Sequence, residues 1–351
     1  MHSRGHWGRW ARGAAVAVAA LGPWQVGNAV AQEDFYKGRQ IAIIVGFGPG
    51  GGYDAYARLL GRHIGRHIPG QPNVVVQNME GAGSVRASNY VYVNAAKDGT
   101  VIAAPNQNMP MFSLLGAKAA QFDAAKFQWI GSIVGSNGLL YTWHKSETRT
   151  LEDAKRRETV LGGTGTNSDS HIFPTILNKL IGTKFKVING YAGGTRDLHI
   201  ALERGEIEGR GGSSWASLYS GSPDWVDGGK LNFVVQIGLK PELAPQLAGV
   251  PVLIELISDA ADKRAVEVIT LPTVLGYAYW LAPEVPAERV AILRRAFDAA
   301  MKDDGLLAEA MKQKMMVTPQ TGEAIAGLVA RAASTPKPVL ERTAQLLEWK
   351  N

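Results

Sequence analysis

The residues of this chain best suited to chemistry are glycines, hydroxyls and a few polar side chains gathered in four loops. In the first, residues 41–54 read IAIIVGFGPGGGYD, an apolar β-branched run that breaks into glycines and reopens as a helix. Glycine accepts positive φ, so backbone N–H groups across Phe47, Gly48, Gly50, Gly51 and Gly52 can converge on one point. The first turn of the following helix adds unpaired N–H donors and a partial positive charge. Such a cradle can hold a small carboxylate or phosphate without any lysine or arginine. Comparable loops occur at 79–84 (MEGAGS, with Gly81, Ala82 and Gly83), at 162–170 (GGTGTNSDS, with Thr164, Thr166 and Ser168) and at 191–195 (YAGGT, with Tyr191, Ala192, Gly193 and Gly194). Together they form a ring of backbone N–H and hydroxyl donors, which suits a small anion.

Other residues in these segments leave two roles open. Asp54 either caps the helix that follows the first loop or accepts a hydrogen bond from a ligand hydroxyl or amine. Tyr53 beside it can stack on a ligand or cover the loop. His171, at a helix start behind a hydroxyl-rich loop, is a ligand contact or a capping and packing residue. His63 and His67 share a helix face at the spacing of a zinc pair. Ile64 stands where the glutamate of H-E-x-x-H would be and no third ligand is evident, so they read as a solvated basic face and no metal is expected.

The literal G-x-G-x-x-G at Gly46, Gly48 and Gly51 would suggest a dinucleotide, but the second expected strand ends at Gln77-Asn78 with no acid for a ribose. A hydrolase would need a nucleophile and a placed base; G-x-S-x-G is absent and Ser168, Asp169 and Ser170 crowd one loop. Neither a cofactor nor an enzymatic activity is expected.

Elements of alternating period must position these loops. Apolar residues switch repeatedly between period two and period 3.6. Strands are expected at 41–47, 73–77 and 100–104, with helices from Asp54 and at 85–95, giving a parallel βαβαβ unit. A second α/β series has strands at 139–143, 159–162, 185–188, 207–210 and 231–237 and helices at 151–157, 171–181 and 195–204. Beyond Pro272 the chain reads as mostly helical, at 287–301, 306–315 and 323–333. The economical arrangement is two α/β lobes around a cleft, the helical tail packing on the first lobe.

The first 31 residues carry Arg4, Arg9 and Arg12, a short apolar run and Ala29-Val30-Ala31. This reads as a secretory signal peptide cut after Ala31 and implies a periplasmic destination. Removing the three arginines lowers the formal charge from +6 to +3, and the Lys/Arg stripe that nucleic-acid binding needs is absent. With no cysteine the chain has no disulfide or thiolate chemistry, and at 46% apolar residues its core must hold it together.

Three segments, GFGPGGGYDAYARLL at 46–60, QNMEGAGSVRASNYV at 77–91 and KDGTVIAAPN at 97–106, resemble the Bug family of periplasmic solute-binding receptors of tripartite tricarboxylate transporters. The resemblance runs from about Phe35 to the C-terminal helices. It implies a type II periplasmic binding protein, with lobe 1 formed by 32–130 and 271–351 and lobe 2 by 131–270. It also implies a monomer that captures a small organic carboxylate and delivers it to membrane subunits; a sensory binding protein or a periplasmic hydrolase is the alternative. By the same resemblance the loop 47–54, Gly81 to Gly83, Asn106, Thr164, Thr166, Ser168, His171 and Tyr191 to Gly194 contact the ligand. Tyr53 replaces the family's threonine, Tyr191-Ala192-Gly193 its Y-K-G, Gly211 to Ser213 its aspartate, and Ala278 to Leu281 its W-Y-G-L. With Tyr53, Tyr191, Trp215 and Trp280 near the motifs, the ligand expected is an aromatic or bulkier carboxylate.

Overall fold

The computed structural model describes residues 35–191 and 193–348. The expected signal peptide and its cleavage site lie outside the described residues, as does Ala192.

The strands form two sheets. One has the order β11-β4-β10-β3-β1-β2, from β1 (Gln40–Val45), β2 (Asn73–Asn78), β3 (Val101–Ala104), β4 (Gln128–Ser132), β10 (Ala278–Leu281) and β11 (Gln320–Thr321). The other has the order β7-β6-β8-β5-β9, from β5 (Gly138–Trp143), β6 (Thr159–Gly163), β7 (Phe185–Asn189), β8 (Gly209–Ser214) and β9 (Leu231–Ile237). In the first sheet β1 is parallel to β2 and β3, with Val45 opposite Asn78 and Ala104. The three glycine- or proline-containing loops that follow these strands therefore open at one edge.

Period-two alternation explains why β1 is almost entirely apolar. Ile41, Ile43 and Val45 enter a core with Tyr56, Leu59 and Leu60 of the helix Gly52–Ile64, while Ile44 enters a core on the opposite face. That second core also contains Trp280 of the first sheet and Leu140, Leu161 and Val235 of the second, so apolar packing is continuous between the lobes. Burying Ile41 or Leu59 contributes about 1.5–3 kcal/mol each.

Several expected elements differ in the fold. The helix expected at 85–95 is α-helical only at Val85–Asn89 and widens into a π turn at Tyr90–Asn94. The strand expected at 207–210 runs Gly209–Ser214, because its glycines admit a close neighbour: a Cβ on Gly212 would meet the backbone of Asp169, and one on Gly211 the ring of Pro174. The tail after Pro272 is less helical than expected. β10 inserts antiparallel between β3 and β4, and β11 pairs with β4, so the returning chain completes the first sheet.

The basic helix face expected to be solvated is instead paired with the tail. His63 is buried, its Nε2 lying 2.7 Å from Glu309 Oε2, and His67 Nε2 lies 2.9 Å from Asp303 Oδ2. Arg62 pairs with Glu309, and Arg62 foremost, then His63, holds that carboxyl down at about 2. These contacts fasten the helix Asp304–Lys312 to the first lobe.

The chain crosses between lobes in paired segments. Tyr277 N–H donates to Val134 O at 3.1 Å, Ile133 N–H to Tyr277 O at 3.2 Å and Ser136 N–H to Thr273 O at 3.0 Å. Gly276 sits inside this crossing at φ +56°, and a Cβ there would collide with the Val134 carbonyl. Both the positive φ and the collision oppose a side chain. Gly276→Ala is expected to lower stability by about 1–3 kcal/mol in urea unfolding; an unchanged midpoint would show that the crossing relaxes freely.

Candidate functional site

A cavity of about 60 Å³ lies between the two sheets at the carboxyl ends of β1, β6 and β8. That is room for roughly four waters, or a compact molecule of a few heavy atoms. From the first lobe it is lined by Phe47, Gly48, Gly51, Gly52, Tyr53 and Asn106, and from the second by Thr164, Ser168, Gly193 and Gly194. These sequence-derived candidates meet because each follows a strand whose register ends at the same edge.

The first-lobe wall is a glycine loop running into a helix. Gly51 N-caps the helix Gly52–Ile64 with no side-chain cap, leaving first-turn N–H groups near the cavity. Gly52 is glycine because a Cβ would collide with Ser217 Oγ and lie 2.6 Å from the Tyr277 hydroxyl. The neighbouring aromatic rings pack on one another: Phe47 stacks on Tyr53 at 5.0 Å, and Tyr277 meets Tyr53 edge-on at 4.7 Å and stacks on Tyr56 at 4.4 Å. The Tyr53 hydroxyl accepts the Gln107 N–H at 2.9 Å. Burial drives its pKa well above the ordinary tyrosine value.

The second-lobe wall consists of hydroxyls that hold each other. Ser168 Oγ donates to Gly165 O at 2.8 Å and lies 2.7 Å from Ser170 Oγ, which accepts the Thr164 N–H at 3.0 Å. Ser214 Oγ lies 2.6 Å from the Tyr277 hydroxyl. Such mutual bonds fix the positions of these hydroxyls before a ligand arrives.

Other candidates lie outside the cavity lining. Asp54 is only 3% exposed, and its carboxylate accepts from Arg58 Nε at 2.9 Å, the Gly50 N–H at 2.9 Å and Asn78 Nδ2 at 3.0 Å. Burial pushes this carboxyl up, but Arg58, the Gly50 N–H and Asn78 outweigh it and hold it below the ordinary value. Asp54 and Gly50 thus brace the loop from behind. Gly81, Ala82 and Gly83 are outside it, and Gly83 forms a lobe contact instead, a Cβ there falling 3.2 Å from the Asn167 backbone. Thr166 is exposed, and His171 Nδ1 lies 3.0 Å from Asn189 Nδ2. Tyr191 packs against the second-lobe core. Trp280 stacks on Phe127 at 3.8 Å and Trp215 on Tyr219 at 5.1 Å. Of the four aromatics behind the expectation of a bulky ligand, only Tyr53 reaches the cavity.

Two charged residues that were not among the sequence candidates also line it, Arg210 and Asp169. Arg210, in β8, is 8% exposed; its Nε donates to Gly212 O at 2.8 Å and its Nη1 to Thr195 Oγ1 at 3.1 Å. Among the described residues no carboxylate forms an ion pair with it. The glycine cradle, which could hold an anion without an arginine, thus faces a buried one from the second lobe, whose sequence signal was a charged residue inside the glycine-rich run GRGGSS. Asp169 opens the helix Asp169–Ile181 and is gripped from the first lobe by Gln107 Nε2 at 3.1 Å and by Asn108 Nδ2. Burial raises its carboxyl to about 6, against the Asn108 hydrogen bond, the Arg210 charge and the Gln107 hydrogen bond.

BugD, a periplasmic binding protein of known structure, superposes with a TM-score of 0.67 at 18% identity, covering 89% of this chain and 98% of that one. The fold is that of a two-lobe periplasmic binding protein. MatC of Rhodopseudomonas palustris, solved with bound malate, superposes on this binding-protein fold with a TM-score of 0.65 at 17% identity, covering 88% of this chain and 99% of that one. The "UPF0065 protein in gbd 5'region" of Cupriavidus necator is 27% identical over 251 residues, 70% of this chain and 72% of that protein. The resemblance to the Bug family read from the sequence is borne out. No family model matches the chain.

The raised Asp169 pKa has a definite sign in this binding-protein fold. The folded state holds the proton more tightly than the unfolded chain, so this group's stabilising contribution is complete below pH 3.8 and disappears as pH rises through about 6. Urea unfolding across that window is expected to show the parent protein losing stability relative to Asp169→Asn as pH rises. A difference independent of pH would mean the carboxyl is not desolvated.

Proposed function

We propose that this protein is an exported receptor that captures a small organic carboxylate between its lobes and presents it to the membrane subunits of a tripartite tricarboxylate-type transporter. The observation that carries the reading is Arg210, a buried guanidinium on the cavity wall that forms no ion pair among the described residues. A buried charge is costly unless paired, and an anionic ligand supplies the missing partner. The glycine loop after β1 and the helix start at Gly52 supply neutral donors around the same point. MatC, which shares the fold, holds malate, and BugD is described as a periplasmic binding protein.

Ligand binding and lobe closure are coupled by contacts that exist only when the lobes meet. Gln107 and Asn108 reach across to Asp169, and Gly52 sits against Ser217. A ligand that bridges Arg210 and the first-lobe loop binds the closed form better than the open one, and only that difference drives closure. The small cavity favours a compact aliphatic acid over the aromatic one expected from the sequence.

A thermal-shift screen against mono-, di- and tricarboxylates tests the reading, since a ligand at a hundredfold excess over Kd adds about 2.7 kcal/mol of stability. A hit should lose at least about thirtyfold in affinity in Arg210→Met, the scale of removing one partner of a buried charge pair. Undiminished affinity in that variant would remove the carboxylate from this cavity.

A further inference from the structure

We infer that the cavity selects a carboxylate that carries its own hydrogen-bond donor, a hydroxyl or an ammonium, with the carboxylate on Arg210 and the donor on Asp169. This rests on the receptor reading above and specifies its ligand class. Arg210 and Asp169 line the same small cavity, yet no ion pair joins them. Each is held away from the other by neutral partners: Arg210 by the Gly212 carbonyl and Thr195 hydroxyl, Asp169 by the Gln107 and Asn108 amides. An ionised carboxylate has about four acceptor positions, and the two amides occupy two of them. Asp169 thus retains acceptor capacity inside a site whose other wall attracts an anion.

A plain acid satisfies only half of this arrangement. Its carboxylate meets Arg210 while its alkyl end leaves the remaining acceptor positions of Asp169 unused, beyond those taken by Gln107 and Asn108. A dicarboxylate is worse, because its second carboxylate is driven toward Asp169 with like charge. A short 2-hydroxy or 2-amino acid meets both groups, and a cavity of about 60 Å³ favours a compact molecule. Discrimination of this kind follows because the analogue that lacks a donor leaves acceptor capacity of Asp169 unfilled inside the cavity.

The groups facing Asp169 keep one charge state near neutral pH. Tyr53 and Tyr277, which also face it, have hydroxyl pKa values raised by burial, and the Arg210 guanidinium lies on the same cavity wall. His171, on the same helix, has its pKa lowered by burial and is neutral there. Ionised Asp169 is therefore the group that distinguishes ligands at neutral pH.

The test is isothermal calorimetry on the purified protein at neutral pH with propionate, lactate, alanine, succinate and malate. Lactate or alanine is expected to bind ten- to a hundredfold more tightly than propionate, the range of a charge-assisted hydrogen bond. Succinate is expected to be the weakest, and Asp169→Asn is expected to narrow the lactate-to-propionate ratio below about threefold. Propionate binding as tightly as lactate and alanine, or succinate binding best, would overturn the selection while leaving the receptor reading intact. Absence of heat from all five acids, with no hit in the wider carboxylate screen, would instead bring down the receptor reading itself. The comparison on the unmodified protein needs no variant to fold.

Discussion

A guanidinium held out of water and, among the described residues, outside any ion pair is the constraint around which this structure is arranged. Arg210 loses most of its hydration in β8 and donates hydrogen bonds to a carbonyl and a hydroxyl. The carboxylate of Asp169 is turned to Gln107 and Asn108, so it offsets this charge across the cavity and not in a direct ion pair. A direct partner has to come from the space between the lobes. Packing around that space is rigid: the aromatic set Phe47, Tyr53, Tyr277 and Tyr56 and the hydroxyl set Ser168 and Ser170 are held by their own contacts.

Glycine makes this geometry possible for steric reasons that differ between positions. In β8, Gly211 and Gly212 let the start of the helix Asp169–Ile181 lie directly on the strand, which brings Asp169 and Arg210 to one cavity. At Gly52 the absent side chain lets the first-lobe helix approach Ser217 and Tyr277. At Gly83 it lets the second loop touch Asn167, so that loop serves contact between lobes and stays out of the lining. Glycine-rich sequence of one appearance thus performs three tasks, and only the neighbours distinguish them.

The parts of the fold legible in the sequence were those with strong local periodicity. The alternation in 41–45 and the helical stripe Tyr56, Leu59, Leu60 and Ile64 predict β1 and its helix, since both faces of the strand and one face of the helix must be covered. β8 was displaced by several residues in the expectation because GRGGSS has none of the apolar signal of a strand. β10 was missed because AYWL follows a proline-containing helix and pairs only with strands distant in sequence. His63 and His67 read as solvated because their partners, Glu309 and Asp303, arrive from more than two hundred residues away.

What the sequence by itself determined was the βαβαβ beginning, the exported character expected of residues 1–31, and a set of donor loops placed after strands. Those follow from local rules: glycine tolerance of positive φ, apolar period, and the unpaired N–H groups of a helix start. Tertiary structure alone decided which loops reach the cavity, that Asp54 braces its loop, and that Arg210 and Asp169 supply the charge there. The physical reason is that burial and electrostatic pairing depend on which groups meet in space. Two β8-facing residues 41 positions apart become neighbours of one small volume only after both sheets have formed and the chain has crossed between them.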